Sequence, residues 1–181
     1  MSNHPPERLS RLRAAGLAAD QVPRPGPGQR SVWDYPRPPE LLPEYRRLRV
    51  VFAGAVIADT RRGLQLCETA SPPTYYFPLE DIAAEALVAS ARRSLCEWKG
   101  QARYFDVVVR DARAANAAWC YPQARAPFEA LAGWIAFMPA AMEACLVDDE
   151  QALPQPGGFY GGWITEDLTG PFKGLPGTLH W

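Results

Sequence analysis

The sequence predicts a mainly β fold: one domain built as an open barrel or sandwich, with one or two short helices and extended N- and C-terminal straps. Its 181 residues include 14 glycines and 19 prolines, above average usage, which favours a turn-rich β architecture over a helix bundle. About seven short runs rich in β-branched and aromatic residues succeed one another with turn residues between them. No segment alternates strands with crossover helices in the way a parallel sheet requires. With 48% hydrophobic residues, a chain of this length can bury one sizeable core.

Taken in order, residues 1–45 read as a helix, a linker and an aromatic strap. Residues 5–20 carry the leucines and alanines of a short helix, with Leu9, Leu12 and Leu17 loosely on one side. QVPRPGPGQ at 21–29 is a linker, because proline and glycine at this density resist both helix and ladder. SVWDYPRPP at 31–39 is an extended stretch whose rings should pack on a domain surface.

The β core is expected over residues 46–153. Runs at 49–52 and 56–59 flank Ala53-Gly54-Ala55 as a hairpin, and 64–69 reads as a third strand. Pro78 with Glu80 and Asp81 behind it predicts the start of a helix over 78–89. Strands are expected at 94–98, 102–110 and 115–121, a helical turn or two at 127–133, a strand at 134–137, and a terminal hairpin of 144–147 with 151–153. Residues 154–181 form a strap with too little aliphatic content for a core of its own. It is expected to lie across the domain or a partner subunit and bury Phe159, Tyr160, Trp163 and Phe172.

Charge and composition exclude several functions. The formal net charge is -1, with nine arginines against five acids in the first 50 residues and an excess of acids in the remainder. That pattern is too weak and diffuse for a nucleic-acid footprint, so no nucleic-acid partner is expected. No apolar run approaches the roughly 20 residues of a membrane helix, and the N-terminus lacks a secretory apolar region. A soluble, cytoplasmic protein without a membrane partner is expected. Cys67, Cys96, Cys120 and Cys145 lie at least 24 residues apart with no C-x-x-C pair, so reduced thiols and no metal or other cofactor are expected. His4 and His180 are the only histidines, one near each end. A Ser-His-Asp or Cys-His site cannot be built from the core, and any acid-base chemistry there must use carboxylates, tyrosines, cysteines or lysine.

Lysine is the sharpest compositional signal. Against 17 arginines the chain has two lysines, Lys99 in LCEWKG and Lys173 in PFKG. An ammonium is a compact charge that can act as nucleophile or base when desolvated, whereas guanidinium stays a charged planar fork. In a continuous strand Cys96 and Lys99 would face opposite sides, but a turn at Gly100 would swing Lys99 over the cysteine. The candidate site is therefore Cys96, Lys99 and Glu68 as reactive groups, with Tyr75, Tyr76, Trp98, Tyr104, Trp119 and Tyr121 as ligand-binding walls. Glu68 would serve as ion-pair partner or proton acceptor. Plainer readings stand beside these: Cys96 as an ordinary buried thiol, Lys99 as a surface ammonium lying over Trp98, and the aromatics as core.

Several spaced motifs occur together in order. They are RVVFAG at 49–54 with Ala58-Asp59-Thr60, Glu68 with PPTYYFP at 72–78, CEWKGQARY at 96–104, AAWCYP at 117–122, and Ile135-Ala136-Phe137. Over roughly residues 46–153 this pattern resembles the domain of unknown function 427 family. Gln123-Ala124 stands where family members often carry Asp-Pro. The resemblance implies a mostly antiparallel domain of β-tent type, shared with the Yippee proteins, methionine sulfoxide reductase B and the thalidomide-binding domain of cereblon. Many of those hold a structural zinc on paired C-x-x-C motifs, which are missing here, so the core is expected to stand without metal. The family is sometimes labelled nucleotidyltransferase-like. That chemistry needs carboxylates clamping metal and phosphate, yet the sequence has neither a Gly-Ser followed by D-x-D nor a P-loop.

Two function classes follow. One is a small-molecule or modified-residue binding domain with an aromatic cage, as the cereblon analogy suggests. The alternative is an enzyme using Cys96 or Lys99 on a small or nucleotide-like substrate. A purely structural interaction domain ranks below both, and the straps leave a homo-oligomer open.

Overall fold

The computed structural model describes residues 6–181, so Pro5 and His4 lie outside the described residues. Helix α1 (Pro6–Ala14) opens the chain, followed by strands β1 (Arg30–Ser31) and β2 (Glu40–Glu44). Then come β3 (Leu48–Phe52), β4 (Ala55–Thr60), β5 (Gly63–Cys67) and β6 (Thr74–Pro78). The longest strands are β7 (Leu87–Cys96), β8 (Gly100–Val109) and β9 (Ala112–Cys120), with β10 (Trp134–Phe137), β11 (Ala144–Val147) and β12 (Glu150–Gln151) behind them. The last segment adds β13 (Leu153–Pro154), β14 (Trp163–Ile164) and β15 (Leu168–Thr169). No helix among the described residues is long and apolar enough to cross a membrane.

The fold is mainly β, as expected, and open. A seven-stranded antiparallel sheet runs β2-β5-β6-β10-β9-β8-β7, and a four-stranded one runs β12-β11-β3-β4. Ala53 and Gly54, both at positive φ, form the two-residue turn between β3 and β4, the conformation that matches strand twist in a hairpin. Two small pairs complete the set, β13 with β14 and the parallel pair β1 with β15. The strands outnumber the roughly seven runs read from sequence, in part because five of them have only two residues. Strand β2 was also not anticipated. It contains Pro43, which a sheet tolerates at an edge, and β2 is the edge beside β5.

The helix expected over 78–89 does not form. Two 3-10 turns, Leu79–Asp81 and Ala84–Ala86, take its place. The Ala83 N–H donates to Ile57 O and Ile82 bridges Ala58, so the small sheet takes up backbone groups that a helix would need internally.

Period-two alternation divides the large sheet into two apolar faces. Tyr75, Phe77, Ala118, Cys120, Ile135 and Phe137 belong to the main core, together with Leu48, Val50 and Cys145 from the small sheet. Tyr76, Trp119, Tyr121 and Ala136 point the other way into a second cluster with Leu66 and Phe128. A third cluster joins Leu12 of α1 to Val32, Trp33, Cys67 and Leu168.

The C-terminal segment docks on the domain, with one exception to the expected burial. Trp163 is fully buried, with its ring 5.1 Å from Tyr75 and 6.0 Å from Phe77. Its N–H donates to Pro73 O, and the Lys173 N–H donates to Ala70 O. Tyr160 and Phe172 are half-buried, but Phe159 is 69% exposed because it sits at the edge of a cavity that the strap borders and does not fill.

Candidate functional site

A cavity of about 310 Å³ opens on the outer face of the seven-stranded sheet. Its floor is the second apolar cluster, with Leu66 of β5, Tyr76 of β6, Tyr104 of β8, Trp119 of β9 and Tyr121 just past β9. One wall is the loop between β7 and β8; the other is the strap around Tyr160, Gly161 and Lys173.

The β7–β8 loop is built by register. Cys96 pairs with Gly100, leaving Glu97, Trp98 and Lys99 as the turn, and Gly100 takes φ +93°, which a side chain would strain. The Arg125 N–H holds the loop by donating to Lys99 O at 3.1 Å. Lys99 therefore comes round to the side of Cys96, and both line the cavity.

Lys99 is 6% exposed, and its Nζ stands 5.3 Å from the centre of the Tyr121 ring. Among the described residues its side chain makes no ion pair and no hydrogen bond. Next to it, the Trp98 Nε1–H is buried with no acceptor. Burial pushes the phenols of Tyr76 and Tyr121 upward, so both stay neutral near pH 7 and give Lys99 no counter-charge.

Lys173 is arranged differently. At 3% exposed, it donates from Nζ to Glu68 Oε1 at 3.2 Å and lies 4.9 Å over the Tyr160 ring. Glu68 is thus partner to Lys173, not to Lys99. Gln155 Nε2 donates to Lys173 O at 2.9 Å, and its Oε1 accepts the Gly162 N–H, which ties both ends of the strap segment together. A Cβ at Gly161 would overlap the Trp119 ring, so the chain crosses that indole where only glycine fits.

Eight of the nine candidate residues surround this cavity: Glu68, Tyr76, Cys96, Trp98, Lys99, Tyr104, Trp119 and Tyr121. Tyr75 does not. Its neighbour Tyr76 faces the cavity, so alternation turns Tyr75 into the main core, where its hydroxyl accepts from Arg46 Nη2 at 3.0 Å. Cys96 is half-buried on the cavity wall, whereas Cys67, Cys120 and Cys145 are buried elsewhere. Tyr104 is braced by Ser94, the two hydroxyls 2.9 Å apart, and by Arg92, whose guanidinium lies 4.7 Å over its ring.

Sequence reasoning did not assign Tyr160 or Arg37 to the cavity and left the reach of Lys173 open. The scarcity of lysine was the one available signal for Lys173, since both lysines of the chain prove to line one cavity. Nothing in the local pattern marks Arg37 or Tyr160, because distant segments bring them there.

Residues 40–148 match the family described as Domain of unknown function (DUF427). The chain belongs to this family. The DUF427 match spans β2 to the end of β11 and so contains the cavity floor and the Lys99 loop, while Lys173 and Tyr160 come from the strap outside it. No curated protein matches the chain.

Proposed function

We propose that the cavity is a binding site for a small aromatic molecule carrying an anionic group, such as a carboxylate or phosphate. The observation that carries this reading is Lys99, an ammonium on an aromatic wall of the cavity that makes no ion pair among the described residues, although Glu68 and Glu97 line the same cavity. The Lys99 ammonium lines the cavity without an ion-pair partner, so an anion entering would pair with that charge in a recess where water screens it less than in bulk. Trp119, Tyr121 and Tyr104 supply aromatic surface to the cavity. Polar groups converging among aromatic rings are a usual feature of a small-molecule site.

A second reading, an enzyme using Cys96 or Lys99 as reactive group on a small or nucleotide-like substrate, has its support in Cys96 being the one thiol on the cavity wall.

The binding reading is tested by following tryptophan fluorescence and melting temperature while titrating benzoate and phenyl phosphate against the neutral benzamide. The acids should bind and stabilise the wild-type protein, benzamide should not, and Lys99→Met should remove the difference. Equal binding of acid and amide, or an unaltered preference in Lys99→Met, overturns the reading.

A further inference from the structure

Nine large apolar side chains are exposed in the described structure, and three of them, Leu95, Phe159 and Leu179, border this one cavity. Leu95 is 73% exposed near the end of β7, Phe159 69% exposed in the strap, and Leu179 54% exposed close to the C-terminus. Single exposed hydrophobics need no explanation, but three from separate segments meeting at the mouth of a cavity form a patch. The cavity is small. At about 310 Å³ it lies at the lower end of ligand pockets, room for one ring with its acid group and a few further atoms before a longer chain must leave through the mouth.

We infer that the ligand is a soluble single-chain amphiphile: an aromatic acid head buried on Lys99, and an apolar tail that leaves through the mouth and lies on Leu95, Phe159 and Leu179. The inference rests on the reading of Lys99 as the anchor for the anion. Charge and polarity divide the site accordingly. The inner end holds an ammonium without an ion pair, while the open end presents hydrocarbon to water. A wholly polar ligand would leave that hydrocarbon uncovered, and a tail would remove it from water. Phe159 stands edge-on to Tyr160 at 4.9 Å, so head and tail would meet along one continuous aromatic surface.

The test is a homologous series of ω-phenylalkanoic acids, from benzoate to 8-phenyloctanoate below its aggregation threshold, with the matching amides. Wild-type affinity should rise by about two- to fourfold per methylene, the upper figure being that of full burial, and then level off once the mouth is covered. Leu95→Ser combined with Phe159→Ser should flatten this dependence and leave benzoate binding unchanged. Both side chains are exposed, so the variant keeps its core, and its melting curve checks that. Benzoate binding through Lys99 with no gain from the tail, or a gain that persists in the double variant, overturns the amphiphile and leaves the anion site standing. If no acid in the series binds better than its amide, the anion site itself fails.

Discussion

Lys99 is a largely buried residue whose ammonium stands over Tyr121, an attraction on the order of 1–2 kcal/mol. Cys96 stands on the same wall, and its three counterparts are packed elsewhere. Burial pushes the Cys67 thiol up to about 11 and raises those of Cys145 and Cys120 as well. Brief treatment of the native protein with iodoacetamide at pH 8 should therefore modify Cys96 alone, with the other three reacting only after unfolding, as read by peptide mass spectrometry. Earlier modification of any other cysteine would contradict the packing described. Residue chemistry was the most legible part of the site: two lysines among so many arginines drew attention to the right loop. The parity of a strand was not legible, since YY at 75–76 reads the same whichever tyrosine faces the core, and only pairing with β5 and β10 decides it.

Among the elements, the strap does more than cover. Trp163 is fully buried within the main core against Tyr75 and Phe77, so this short strand completes the interior from outside the family-matching region. Trp163→Ala should cost about 3–5 kcal/mol, as large aromatic truncations in a core do, measurable as a lower urea midpoint with an unchanged slope. An unshifted midpoint would mean that the strap contributes no packing. From sequence the docking could be anticipated, because a glycine-rich segment with five aromatics and few aliphatics cannot form a core alone. Which rings would be buried could not, because Phe159 and Trp163 differ only in what lies opposite them. The 78–89 segment shows the converse: its helix-like composition lost to backbone partners on β4.

At the level of the whole molecule, the interior holds neutral thiols and phenols, with Cys145 and Tyr75 in the core between the two sheets and Cys67 in the cluster that includes Leu12 of α1. A thiol whose pKa is raised by folding contributes stability that is complete below its unfolded value near 8.5 and disappears as the pH climbs through its folded value. For Cys67 that window runs from about 8.5 to about 11. The melting temperature should be level between pH 7 and 8.5 and fall across the window, and Cys67→Ala should make the fall shallower. A slope unaffected by that substitution would assign the alkaline loss to other groups. The mainly β class was readable from turn residues and short apolar runs, whereas the division of the large sheet into a core face and a cavity face depends on long-range pairing that no local pattern records.

Because both lysines line one recess, the exterior of this domain displays guanidinium but no side-chain amine. Reagents that couple to lysine, such as activated esters or amine-reactive sensor surfaces, will find their lysine targets only inside that recess. Attachment through lysine would obstruct the site, and the yield of such coupling becomes a direct gauge of whether something already occupies it.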